Sequence, residues 1–139
     1  MAATKEPVVF TTKETSTYTP GRRSFIKYRE LGVTEATGGK IRAQVMSIDP
    51  GKCEPTGWHY HPCEAQFLYM LSGWLEMEFE GRGVMRFNAG DSIYIPGGTV
   101  HQELRCSDDF QLLEMSVPAE LRTQKCPPPP GAVVITEKG

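Results

Sequence analysis

Residues 57–74 read GWHYHPCEAQFLYMLSGW, and the fold turns on how this stretch is read. In an extended segment alternate side chains share a face. His59 and His61 therefore fall on one side, close enough to chelate one ion, while Trp58 and Tyr60 face away. Two ligands are not a site, and the chain has only 3 histidines. The third, His101, belongs to GDSIYIPGGTVHQELR (residues 90–105). There Gly90, Pro96, Gly97 and Gly98 make tight turns around a short apolar strand and deliver His101 at the start of the next. An antiparallel neighbour could set His101 beside the first pair.

Outward from these stretches the chain is punctuated by TPGRR, TGGK, DPGK, SGW, EGRG, NAGD, PGG and SDD. Turn signals roughly every 8–12 residues mark short strands in a sandwich or barrel. Between the turns the period is two. In WLEMEFEG (74–81), Leu75, Met77 and Phe79 point to a core while Glu76, Glu78 and Glu80 point to water. IRAQVMSI, GVMRF, DSIYIP and FQLLEMSVP read as further strands, and no window offers a capped amphipathic helix of three turns. The expected class is all-β and antiparallel, with residues 1–22 an extended arm, 23–118 the β domain and 119–139 a Pro-rich tail.

A length of 139 residues with 39% hydrophobic side chains is enough for one packed domain. The net charge of -2 comes from mixed signs with no basic stripe, which argues against nucleic acid or an anionic membrane and for a small ligand. No long apolar run and no leader-like start are present, so a cytoplasmic location is the expectation. Cys53, Cys63, Cys106 and Cys126 show no CxxC pairing and are expected as reduced thiols; Cys63 could be a sulfur ligand but reads better as a small buried hydrophobe. Met46, Met70, Met77, Met85 and Met115 read as core packing. Tyr69 and Tyr94 read as covering the outside of the domain or a subunit interface.

The two histidine stretches resemble the two motifs of the cupin superfamily. His59, His61, four residues, Gln66, six residues, Gly73 is in register with the first; Gly90, five residues, Pro96-Gly97-Gly98, two residues, His101 is in register with the second. The resemblance implies a small antiparallel cupin-type β-barrel (a double-stranded β-helix or jelly roll) around one divalent metal ion, whether Fe, Zn, Ni, Mn or Cu. The ligands it implies are His59, His61, Gln66 and His101. The sequence departs from the motifs at Cys53, where a glycine is expected, at Gln66, where the family places a glutamate, and at Arg105, where it places an asparagine. Gln66 either coordinates through its carbonyl oxygen or hydrogen-bonds a metal-bound water. Glu64 is out of register for the carboxylate ligand and is kept as a nearby alternative.

A neutral residue at position 66 leaves the ion two positive charges, which favours an anionic ligand. Cupins with three-histidine iron sites cleave carbon–carbon bonds in diketone-like compounds. The resemblance therefore implies a metal-dependent, Fe-type dioxygenase acting on a small anionic or enolisable oxygen donor. The alternatives are a non-catalytic anion-binding or sensor protein and a cupin isomerase or lyase. An isomerase or lyase needs a proton carrier, for which Glu64, Tyr69, Glu103 and Arg105 are the nearby ionisable residues. Exposed strand edges and the arm lead us to expect a homodimer.

Overall fold

A computed structural model describes residues 7–15, 18–21 and 24–132. Its elements are β1 (Tyr18–Pro20), β2 (Ile26–Glu30), α1 (Val33–Ala36), β3 (Arg42–Ile48), β4 (His59–Tyr60), β5 (Ala65–Ser72), β6 (Trp74–Phe79), β7 (Gly83–Asn88), β8 (Ser92–Pro96), β9 (His101–Cys106), β10 (Gln111–Val117) and β11 (Gln124–Lys125). All strand pairings are antiparallel. They form a six-stranded sheet, β1-β2-β3-β10-β5-β8, and a five-stranded sheet, β11-β4-β9-β6-β7. This is the jelly roll expected from the sequence. Its two sheets pack face to face, and no ladder among the described residues closes them into a continuous cylinder.

The period-two pattern explains the packing. On β5 the side chains of Gln66, Leu68 and Met70 are buried while Phe67, Tyr69 and Leu71 are exposed. On β10, Leu112, Glu114 and Ser116 are buried in the same alternation. Leu68, Met70, Leu75, Met77, Ile95 and Leu112 lie in one core cluster between the sheets. Of the polar inward residues, Gln66 lies opposite Ile95, one residue from the Pro96 end of β8.

Two expectations need correction. Glu76 and Glu78 share the outward parity of β6 yet are buried, because neighbouring strands close over them. Arg86 Nη2 and Arg105 Nε donate to the two Glu76 oxygens at 3.0 and 2.7 Å, and Gln102 Nε2 donates to Glu78 Oε1 at 3.0 Å. Met85, on the outermost strand β7, is 44% exposed instead of core. Within the expected tail, β11 pairs with β4, placing Lys125 opposite His59. At the other end β1, within the expected arm, is the outer strand of the larger sheet. Residues 1–6, 16–17 and 22 of that arm, and 133–139 of the tail, lie outside the described residues.

Candidate metal centre

The two histidine stretches meet through backbone contacts that their own turn residues allow. His59 on β4 pairs with His101 on β9. The Pro96–Gly98 turn is pressed against the segment after His61: the Gly98 N–H donates to the His61 carbonyl at 2.9 Å. A Cβ on Gly97 would fall inside contact distance of the Cys63 carbonyl, so position 97 has no room for a side chain. Gly98 has φ +82°, a left-handed conformation that glycine adopts at little cost.

Each imidazole is then fixed by a backbone carbonyl. Nδ1 of His59 meets the Gly57 oxygen at 2.7 Å, Nδ1 of His101 meets the Thr99 oxygen at 2.8 Å, and Nδ1 of His61 meets the Arg122 oxygen at 2.8 Å. A carbonyl only accepts, so all three Nδ1 atoms carry a proton, and in the neutral ring Nε2 then presents its lone pair. His59, His61 and His101 are 4%, 3% and 0% exposed, with ligand-capable atoms all within 4.8 Å of one another. The Phe79 ring stacks on His101 at 5.9 Å. Burial pushes the His61 pKa down to about 4, against the pull of the Arg122 carbonyl. His61 is therefore neutral and ready to ligate at pH 7.

These residues fit a metal ion and could hold one. Three lone pairs from rings locked in one tautomer are the donor set that divalent transition metals take, and imidazole alone does not choose among them. Among the described residues the buried His101 Nε2, Gln66 Oε1 and Gln44 Oε1 make no hydrogen bond within the protein. Gln66 is 4% exposed, and its Nε2 donates to Glu114 Oε2 at 2.7 Å. Glu114 in turn receives Gln44 Nε2 on Oε1 at 2.7 Å.

The structure separates the four ionisable candidates. Glu64 is exposed and Tyr69 is 41% exposed on the outer face of β5, so neither reaches the histidines. Arg105 is tied to Glu76. Glu103, two residues after His101 on β9, shares its face, and places Oε2 3.5 Å from His59 Nε2 and Oε1 4.0 Å from His101 Nε2. The Thr56 hydroxyl donates to Glu103 Oε2 at 2.9 Å. Burial pushes the Glu103 carboxyl up; positive charge on His101 or His59, the Thr56 hydroxyl bond and charge on His61 pull it down, so the carboxyl is lowered when those rings are protonated. Cys63 is not among the converging groups, and all four cysteines are free. Sequence reasoning missed two contributors. Thr56 lies in a loop with no ligand pattern, and Arg122 acts through its backbone, which leaves no signature in side-chain identity.

A cavity of about 370 Å³ opens beside His59, Thr56 and Glu103, with Phe25, Met46 and Phe110 among its apolar walls. Arg105 and Lys125 also line it. Its size suits a small organic ligand.

A jelly roll with three inward histidines at one end of its sandwich defines a class, and comparison with known proteins gives the family. The cupin domain matches residues 44–115, just over half of the sequence, and the chain belongs to that family. It is 38% identical over 76 residues to the uncharacterized protein YdbB of Bacillus subtilis (strain 168), a match spanning 55% of this chain and 62% of that relative. Among solved structures, it resembles KdgF from Halomonas sp. with TM-score 0.67 and 20% identity, covering 82% of this chain and 96% of that one. The polyketide cyclase RemF from Streptomyces resistomycificus gives TM-score 0.69 at 17% identity, covering 86% and 85%. Oxalate decarboxylase OxdC of Bacillus subtilis gives TM-score 0.59 at 19% identity, covering 76% of this chain and 29% of that one. These structural likenesses establish the fold. No helix among the described residues is long and apolar enough to cross a membrane.

Proposed function

We propose that the protein is a metal-dependent enzyme that takes a small, enolisable, anionic oxygen donor into the cavity beside His59 and moves a proton on it with Glu103. His59, His61, His101 and the Gln66 carbonyl oxygen are the ligands in this reading. The observation that carries it is the Glu103 carboxylate, 3.5 Å from His59 Nε2 and held by Thr56. The Thr56 hydroxyl donates to it, which favours the ionised form that a base needs.

In the proposed reaction Glu103 accepts a proton from the carbon next to the substrate carbonyl, and the electron pair moves onto the carbonyl oxygen. A divalent ion held by His59, His61, His101 and Gln66 would supply Lewis-acid stabilisation to such an oxygen. Thr56 keeps the receiving carboxylate oriented, and the charged lining of the cavity is mixed, Arg105 and Lys125 beside Glu54 and Glu103. The resemblance to a polyketide cyclase and to oxalate decarboxylase supports chemistry on oxygen-donor compounds, at the level of the fold.

Dioxygenase action on a diketone-like compound is the second reading. It is favoured by a donor set of three histidines, which would suit an iron ion. One experiment separates the two. Metal-loaded protein is mixed in D2O with pyruvate, acetoacetate or a 1,3-diketone, and hydrogen exchange is followed by NMR while dissolved oxygen is recorded. Exchange without oxygen uptake, falling about 100- to 10,000-fold in Glu103→Gln with metal retained, is the expected result. Oxygen uptake by the iron-loaded protein that survives Glu103→Gln would replace the first reading with the second. Metal lost in Glu103→Gln would make Glu103 a ligand instead.

A homodimer is part of the proposal. Phe67, Tyr69, Leu71 and Tyr94 are all exposed on the outer faces of β5 and β8, with Phe67 opposite Tyr94. β8 is an outer strand of its sheet. An apolar face continuous with a strand edge suits a second copy of the chain.

A further inference from the structure

Gln66, Glu114 and Gln44 form a buried row across β5, β10 and β3, and the proton inventory of that row is one-sided. Glu114 is 5% exposed and both of its oxygens accept an amide Nε2 at 2.7 Å, one from Gln44 and one from Gln66. With each oxygen accepting from an amide, the carboxylate offers Gln66 an acceptor and no hydrogen. The Gln66 amide can therefore meet Glu114 only through its NH2 group, and its carbonyl oxygen must point the other way. That oxygen is buried and makes no hydrogen bond within the described protein; Gln44 Oε1, across Glu114, is in the same state, and only Gln66 falls at a ligand position of the motif.

We propose that Glu114 is the positioning residue of the metal centre: it grips the Gln66 amide by Nε2, turns the carbonyl oxygen toward the ion, and carries one layer back the negative charge expected at position 66. The inference rests on the reading of Gln66 as a ligand. It also gives a reason for glutamine there. A glutamate at 66 would set two carboxylates within hydrogen-bond distance, and one of them would have to keep a proton. Glutamine in front and glutamate behind supply the same oxygen donor and the same total charge without that conflict.

The chemistry is reversible by exchange. With Gln66→Glu and Glu114→Gln made together, the new amide at 114 can donate to the new carboxylate at 66 and accept from Gln44 Nε2. Every hydrogen bond of the row then has a counterpart. The test is a set of four variants whose affinity for Zn(II) is read by chelator competition, with the absorption spectrum of the Co(II)-loaded proteins as a second readout.

Gln66→Ala should weaken binding; unchanged affinity there would mean that Gln66 is not a ligand, a failure of the underlying reading. Glu114→Gln alone should weaken Zn(II) binding about 10- to 100-fold and shift the Co(II) spectrum, as loss of a ligand's hydrogen-bond partner does. Gln66→Glu alone should bind no tighter than the parent. The double exchange should restore affinity. If Gln66→Glu fails to fold, recovery of folded, metal-binding protein in the double exchange reads the same pairing. With Gln66→Ala weakened, the proposal is overturned by parental affinity and spectrum in Glu114→Gln. It is equally overturned by a double exchange no better than the worse of its two components, since a merely structural Glu114 has no reason to show rescue.

Discussion

Replacing Gly97 by alanine probes the contact that brings the two halves of the metal centre together. The added Cβ would lie 2.8 Å from the Cys63 carbonyl carbon and 3.3 Å from its nitrogen, and closer still to the oxygen. All three are backbone atoms, so relief requires the Pro96–Gly98 turn to move away from the segment after His61. Overpacking of this kind costs about 1–3 kcal/mol, and loss of the Gly98 N–H to His61 carbonyl bond adds about 1 kcal/mol. The sum, about 2–4 kcal/mol, corresponds to a fall in Tm of roughly 8–16 °C for a domain of this size. Gly98→Ala is the matched control. Nothing lies within 4 Å of its Cβ, and only the φ of +82° is strained, which costs about 1–2 kcal/mol. Thermal unfolding of the metal-free proteins gives the first comparison and Zn(II) affinity the second. Gly97→Ala should lose both stability and metal affinity, because displacing the turn draws His101 away from His59 and His61, whereas Gly98→Ala should keep its affinity. A Gly97→Ala protein as stable and as tight-binding as Gly98→Ala would refute the close approach.

The metal-free protein should lose stability on mild acidification. His61 binds a proton near pH 6.5 when unfolded and only near pH 4 when folded, so the unfolded chain holds more protons between those values. The stability is fully present above pH 6.5 and falls by up to about 1.4 kcal/mol per pH unit toward pH 4; denaturant titrations across that window should show the slope, and His61→Gln should flatten it. Light scattering at micromolar concentration should give twice the chain mass, and Tyr94→Lys should halve it; a stable parent monomer would remove the dimer.

The parts of this molecule that were legible in the sequence are those in which side-chain identity and spacing suffice. His59-x-His61 and Pro96-Gly97-Gly98 carried the convergence of two segments, and alternation along β5 and β10 carried the sandwich. Parity alone misled at Glu76 and Glu78, because whether an outward row meets water depends on how far neighbouring strands reach over it. Arg86, Arg105 and Gln102 reach across. Glu103 had the right parity with His101 from the start, but only the placement of β4 opposite β9 shows that this face looks onto His59. Glu114 sits between Leu112 and Ser116 in an inward row, and a charged residue at such a position is a signal of a buried partner. The partner itself comes from β5, 48 residues away in sequence, and no local pattern specifies it. The Arg122 carbonyl that orients His61 is a backbone group, invisible to any reading of side chains.

Metal stoichiometry tests the central claim most directly. Protein purified without chelators or a metal-binding tag, then equilibrated separately with Fe(II), Zn(II), Ni(II), Mn(II) and Cu(II) and passed through a desalting column, is analysed for bound metal beside His101→Ala. The expected result is one ion per chain for at least one of these metals, and loss of most of it in the variant. No retained metal in the parent, or one full equivalent of the same metal in His101→Ala, would contradict a centre built by His59, His61 and His101 together.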